Sequence, residues 1–500
     1  ELMKVKMEST IVAQLANNEL YVAENPPKKI IVKKMFDAHS SVGLAVGAIM
    51  YLICLTGSLA VFYPEFERWE QPNVAEYNEF SSSSVSQAYQ EYLSKVEVPE
   101  KSVYVVLPTA EVPRAHLSDG EQEWWLNQDG TLGESIRKPW TEMLQELHVQ
   151  LHLPKTLGLV IVSFFGIMLT HLVISGVLTH SRIFKDAFTL NWGGTGQKQQ
   201  IDLHNRLSVW GLPFHAMIAI TGAFFGLVSI LVIIAASAFY DNDREALIAD
   251  IYGEEPIITN APALNVERSF ANMAIADKQA TPIYIVVQNI GSEKQFIEIA
   301  ATLPQRLIYS EIYQFHADGE YIGQQGMANG PIGRQAVYSV YRLHFGHFGN
   351  VAVKLVYLVL GLALTYISVS GINIWLNKRG RVDNVNYLWC GFVYGTPLAL
   401  SASLMASIYL SISAYWSFWL TLIFCLVIAR TVKNLSKIRT TLLMTTAATL
   451  LTTIIGYTLI YGKLVLIPAI TTINLCILFY VIVMVLHSRQ LRRRDKVMAS

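Results

Sequence analysis

Nine of the chain's twelve histidines fall within, or at the edges of, its first four long apolar runs. They are His39, His148, His152, His171, His180, His204, His215, His344 and His347. Of the others, His116 and His316 lie in polar stretches and His487 at a basic tail. Ionisable side chains at membrane depth are costly and usually serve a function. Neutral imidazoles facing one another across an apolar slot between helices are the axial ligands of a b-type haem. The same side chains could instead relay protons, cap helices or meet lipid headgroups.

An internal repeat sorts the histidines. The run HSSVGLAVGAIMYLICLTGSL from His39 matches HNRLSVWGLPFHAMIAITGAF from His204, with Thr56-Gly57 and Thr221-Gly222 at the same offset. LHVQLHLPKTLG…VISGV likewise matches LHFGHFGNVAVK…SVSGI. His152 precedes Ser175-Gly176 by the 23 positions that separate His347 from Ser370-Gly371. The matched pairs His39 with His204 and His152 with His347 are therefore the leading ligand candidates, one pair near each membrane face. His148 and His344 are adjacent alternatives. His171 and His215 lie roughly 14 and 16 Å deeper than His180 and His204, at 1.5 Å per helical residue. They have no repeat partner, with Tyr366 and Met50 at the equivalent places, and serve as ligands, in packing, in a proton relay or against a haem propionate. The small-residue pairs are read first as close helix packing and second as clearance for a macrocycle.

The elements that would hold these residues follow from composition. The 500 residues are 52% hydrophobic and 15% charged, with a mean hydropathy of +0.35. A soluble chain carries about 25% charge. Eight runs are long enough to span a bilayer, at roughly 40–63, 157–180, 207–238, 348–376, 388–410, 414–432, 441–461 and 464–486. Lys and Arg cluster before the first run, in 181–203, 377–386 and 433–439, and in the tail, which places both termini in the cytoplasm. The first apolar run is too long for a signal peptide and reads as a retained anchor. Net charge is zero, so a nucleic-acid partner is not expected. Cys54, Cys390, Cys425 and Cys476 all lie in apolar runs and imply no disulfide framework.

The expected fold is mainly α: a polytopic membrane helix bundle of about eight transmembrane helices, the first four a repeated pair, with two small α+β periplasmic inserts. Its expected segments are a cytoplasmic N-terminal stretch 1–35, spans at 36–63, 147–180, 204–238 and 341–376, and a cytoplasmic loop 181–203. The inserts are 64–146 and 239–340, followed by a four-span extension 377–487 and a basic tail 488–500. Strand-like runs at 103–107, 123–126, 283–287 and 295–299, with Asp129-Gly130 and Asp318-Gly319 turns, give the inserts their hairpins.

Over residues 36–380 the quoted runs resemble the PepSY-associated transmembrane family, and the inserts resemble PepSY modules. The family includes inner-membrane ferrisiderophore reductases of Gram-negative bacteria with two b haems in a four-helix core. The resemblance implies that activity, two haem b groups and the bacterial inner membrane. It also implies His39, His204, His152 and His347 as axial ligands of the haem iron. The four C-terminal spans are a departure from the short family form.

The expected function is transmembrane electron transfer from a quinol or cytoplasmic reductase, through two haems, to a periplasmic ferric siderophore or other iron chelate. Trp124, Trp125, Trp140 and Arg342 are candidate chelate contacts. No GxGxxG follows a strand, so a nicotinamide or flavin site is not expected; GGTGQK at 193–198 departs from P-loop spacing, and neither HExxH nor GxSxG occurs. The rival readings are a transporter or permease using histidines as a proton relay, which a parallel repeat would suit, and a sensor or assembly protein whose inserts bind a partner.

Overall fold

A computed structural model describes residues 26–179, 196–253 and 255–499. His180, most of the 181–203 loop and the first 25 residues lie outside the described residues. Eight helices are long and apolar enough to cross a membrane. The first repeat contains α1 (Pro26–Ala60), α2 (Tyr63–Glu70), α3 (Ser82–Lys95), α4 (Pro139–Gln150) and α5 (Lys155–Thr179). The second contains α6 (Gly196–Trp210), α7 (Leu212–Phe239), α8 (Arg244–Tyr252), α9 (Val266–Ala276), α10 (Ile332–Phe345) and α11 (Val351–Lys378). The extension is α12 (Asn384–Tyr409), α13 (Ala414–Val432), α14 (Leu435–Tyr461) and α15 (Pro468–Ala499).

Three expected spans are broken, and the breaks matter for the site. The second is interrupted after Gln150, where Leu151 and His152 adopt positive φ (54° and 56°) before Pro154. The fourth is interrupted after Phe345, where Gly346 takes φ 72° and Asn350 caps α11 through its side chain. The third breaks at Gly211, with Pro213 in the first turn of α7, where its missing N–H is harmless. His148, His344 and His204 therefore sit on the separate helices α4, α10 and α6, next to the spans rather than within them.

The inserts do not form two separate sheets. Strands β1 (Ser102–Val106), β2 (His116–Ser118), β3 (Glu123–Leu126) and β4 (Leu132–Ser135) come from the first. Strands β5 (Thr281–Gln288), β6 (Phe296–Thr302), β7 (Glu311–His316) and β8 (Tyr321–Gln324) come from the second. They join as one antiparallel sheet in the order β4-β3-β2-β1-β5-β6-β7-β8. The join is β1 on β5, with Val103 opposite Val287 and Val105 opposite Ile285. Each half alone would leave one of these apolar strands as an open edge, a ready template for aggregation; pairing them removes both edges. Those same residues, with Leu117, Ile297, Ile299 and Phe315, form a buried face covered by α3 and α9. Asp129-Gly130 and Asp318-Gly319 turn the β3–β4 and β7–β8 hairpins with glycine φ of 91° and 84°. A Cβ on Gly130 would come 2.1 Å from the Ser84 carbonyl oxygen.

Candidate functional site

Four histidines share one local chemistry. His39 Nδ1 is 3.0 Å from Ser175 Oγ, and His204 Nδ1 is 2.9 Å from Ser370 Oγ. His344 Nδ1 is 2.8 Å from Thr221 Oγ1, and His148 Nδ1 is 2.9 Å from the Ile53 carbonyl oxygen. Each hydroxyl already donates its one proton to its own helix: Ser175 to Leu172 O, Ser370 to Ile367 O and Thr221 to Met217 O. A hydroxyl so committed can only accept, and a carbonyl always accepts. All four rings must therefore carry the proton on Nδ1, which leaves the Nε2 lone pair available as a ligand. This is the arrangement by which a second partner fixes the tautomer and orientation of a ligating histidine.

The glycines of the small-residue pairs give these rings their room. A Cβ on Gly57 would stand 2.4 Å from His148 Cε1, one on Gly222 3.3 Å from His344, one on Gly176 3.3 Å from His39, and one on Gly371 3.5 Å from His204. The motifs expected mainly for helix packing thus seat histidine rings, with the Ser or Thr before the glycine supplying the Nδ1 acceptor in three of the four cases.

The His148 and His344 rings face each other with centroids 6.4 Å apart and planes at 30°. An imidazole nitrogen binds a metal at about 2 Å and lies about 1.2 Å from its ring centre, so two rings gripping one ion from opposite sides sit about 6.4 Å apart. Both helices lie outside the eight spans, and burial keeps both rings neutral. It lowers the pKa of His148, and burial with the neighbouring His148 charge takes His344 down to about 3. At the opposite face His39 lies close enough to His204 for its charge to act on that ring. Among the described residues no three metal-ligating side chains gather. A pair of imidazoles can supply the two axial ligands of a haem, whereas a bare ion wants three or more donors.

His152 occupies a different chemical state. Trp419 Nε1–H donates to its Nδ1 at 2.9 Å, and its Nε2 then donates to the Met143 carbonyl at 2.8 Å. Both nitrogens are used and the tautomer is the reverse of the other four. His347 packs among Tyr63, Tyr341 and Phe345 with a buried Nε2 that has no partner, and it is not brought against His152. His171 and His215 also bury an unpartnered Nε2, and His215 packs against Gly211. Trp125 and Trp140 are buried and bonded to Gln71 and the Leu400 carbonyl, and Trp124 packs on Tyr92. These tryptophans are packing residues. Arg342 donates to the carbonyls of His347, Arg306 and Ile308 and lines a cavity of about 500 Å³ with Arg306, Thr281, Thr302 and Phe348.

Residues 36–378 match the family described as the PepSY-associated TM region. The chain belongs to that family. All four Nδ1-bonded histidines and both inserts fall inside the matched segment, whereas α12–α15 lie beyond it. The PepSY-associated chain is a multi-pass membrane protein by its eight apolar helices. It is similar to a protein of Pseudomonas aeruginosa that is named only as uncharacterized, 26% identical over 285 residues, covering 53% of this chain and 72% of that one. Residues 1–36 also match a model described as a Bacteriodetes cell division protein (FtsL-like).

Proposed function

We propose that this PepSY-associated chain is a b-type di-haem electron-transfer protein of the bacterial inner membrane that reduces a periplasmic ferric chelate, such as a ferrisiderophore. His39 and His204 hold the haem near the cytoplasmic face. His148 and His344, rather than His152 and His347, hold the one near the inserts. The observation that carries the proposal is the shared Nδ1-bonded tautomer of those four rings, together with the 6.4 Å opposition of His148 and His344. When bound, the two haems supply one-electron chemistry at both faces of a slab that an isolated electron could not cross.

The residues of the chain orient and tune. The Ser175, Ser370 and Thr221 hydroxyls and the Ile53 carbonyl raise ligand basicity by accepting from Nδ1. The lysine and arginine clusters on the loops opposite the inserts support cytoplasmic termini and periplasmic inserts. The Arg306–Arg342 cavity supports an anionic substrate, since two guanidiniums and no carboxylate line it. Ferric iron held by hard oxygen donors is bound less firmly once reduced, so an electron delivered there releases Fe(II). A quinol or a cytoplasmic reductase is the donor. A proton relay is less well supported, because the Nδ1 protons are donated to hydroxyls that are themselves committed to helix carbonyls, or to a carbonyl, and so lead to no onward acceptor.

The test is haem stoichiometry and spectra of protein purified after expression with ample haem. Two haems per chain are expected, with one set of reduced α bands lost in His39→Ala and the other in His148→Ala. A colourless protein overturns the proposal.

A further inference from the structure

The extension α12–α15 lies outside the family match, and nothing above assigns it a task. Its contacts converge on one small element. Helix α4, which carries His148, is held by the extension both near its start and just beyond its end. Near the start, Trp140 Nε1–H donates 3.1 Å to the Leu400 carbonyl of α12. Glu70 accepts from the Trp140 and Thr141 backbone N–H groups, both at 2.9 Å, and so caps the helix from another segment. Trp69, the residue before that cap, is itself fixed by the extension. Its Nε1–H donates to Asn474 of α15 at 3.0 Å, and Tyr457 of α14 stacks on it at 4.3 Å and donates to its carbonyl at 2.7 Å.

Beyond the end, Trp419 of α13 bonds His152, which bonds back to Met143 of α4. Between the two, Met143, Leu144 and Leu147 are buried against Leu400, Phe418 and Leu422. His148 follows Leu147 directly, so the ring that faces His344 springs from the best-anchored turn of the helix.

The equivalent helix of the second repeat is held by other partners. Helix α10, which carries His344, leaves each of its residues partly accessible and has no side-chain cap at its N-terminus; it is held by Tyr357, whose hydroxyl donates to the Leu343 carbonyl, and by Arg342, which donates to the Arg306 and Ile308 carbonyls. Helix α4 buries Trp140, Thr141, Met143, Leu144 and Leu147. Two helices related by the repeat and carrying equivalent histidines are thus held very differently, and the difference is the extension.

We infer that the four C-terminal helices are a clamp on α4 that positions His148, with His152 as the pin of the clamp. Trp419 and His152 are positioning residues. One imidazole of the insert-face pair is held through the extension and the other, by Thr221 and Tyr357, from within the second repeat itself. The mechanical part of this inference stands on the contacts alone; its consequence for a haem rests on the function proposed above.

The experiment uses the full chain in lipid nanodiscs as wild type, Trp419→Phe, His152→Leu and His152→Gln. Glutamine keeps one acceptor and one donor at similar reach, whereas leucine keeps neither. Hydrogen exchange is read over 139–150 and 332–345, and the midpoint potential and low-spin electron-resonance signal of each haem are recorded. Trp419→Phe and His152→Leu are expected to speed exchange at least tenfold in 139–150 and not in 332–345. They are expected to shift the signal of one haem only, with both haems retained, and His152→Gln is expected to restore wild-type behaviour. Unchanged exchange in both variants, or an equal rise throughout the chain, overturns the clamp. Local loosening with neither haem signal moved overturns its role toward His148. Loss of one haem in both His152→Gln and His152→Leu makes His152 a ligand and overturns its role as the pin. A wild-type chain without haem defeats the proposed function, while the exchange data still decide the clamp.

Discussion

Gly57→Ala is the most informative single substitution in the bundle. Its new methyl group would stand 2.4 Å from His148 Cε1 and 2.8 Å from Nδ1. Carbon atoms in ordinary contact keep about 3.5 Å or more, so the ring must retreat by about 1 Å. It has little room to do so, because Leu147 and Leu144 on the same helix are fully buried and its Nδ1 is tied to Ile53. Overpacking of this kind costs about 1–3 kcal/mol, and a displacement of that size breaks the 6.4 Å spacing of its ring from His344. The equivalent methyl group on Gly222 meets His344 at 3.3 Å, which a few tenths of an ångström relieve, and on Gly371 it meets His204 at 3.5 Å, an ordinary contact. The expected series in a pyridine haemochrome assay is about one haem per chain for Gly57→Ala, and two for Gly222→Ala and Gly371→Ala. Two haems and unshifted α bands in Gly57→Ala would refute the reasoning, as would equal losses in all three.

Other outcomes follow from the same geometry. Ser370→Ala removes the acceptor for His204 Nδ1, and haem titration should show a 10–100-fold weaker cytoplasmic-side site, the usual size for such a partner, with the other site unaffected. Glu65→Ala leaves the buried Lys354 ammonium with Glu111 alone, at 3.3 Å; thermal melting in detergent should show a loss of about 1–3 kcal/mol, less than a buried charge left with no partner costs. Burial takes the His116 pKa from 6.5 down to about 4. Below pH 6.5 the unfolded chain therefore takes up a proton that the folded insert refuses. Stability is fully present above that pH and falls by about 2–3 kcal/mol as pH drops toward 4. His116→Asn should flatten that part of a melting-temperature profile, and an unaltered slope would contradict the assignment.

Hydropathy and the repeat made the eight spans and the first-four-helix core legible, because a bilayer demands long apolar runs and duplicated helices keep their marks. The strands and their Asp-Gly turns were legible for the same local reasons. Pairing of β1 with β5 was not, since no local pattern says which edge meets which across 180 residues. At the site, the repeat register singles out His39 and His204, the pair the proposal keeps. The same register sets His152 and His347 ahead of His148 and His344, but equal chain spacing is not equal position here. The break after α4 holds four residues, 151–154, and the break after α10 holds five, 346–350. The 23-residue spacing therefore matches two residues of unlike environment. The partnership of each glycine with a histidine more than 90 residues away is likewise a tertiary fact, although the repeated Thr-Gly and Ser-Gly pairs signalled that something recurrent sat against them.

The central claim is that four imidazoles, each with its proton on Nδ1, offer Nε2 in opposed pairs at the two membrane faces. Electron-resonance spectra of the oxidised, haem-supplied wild-type chain test it directly. Two low-spin signals of bis-imidazole iron are predicted, one abolished by His39→Ala and the other by His344→Ala. A high-spin spectrum, or a chain that takes up no haem, would contradict it.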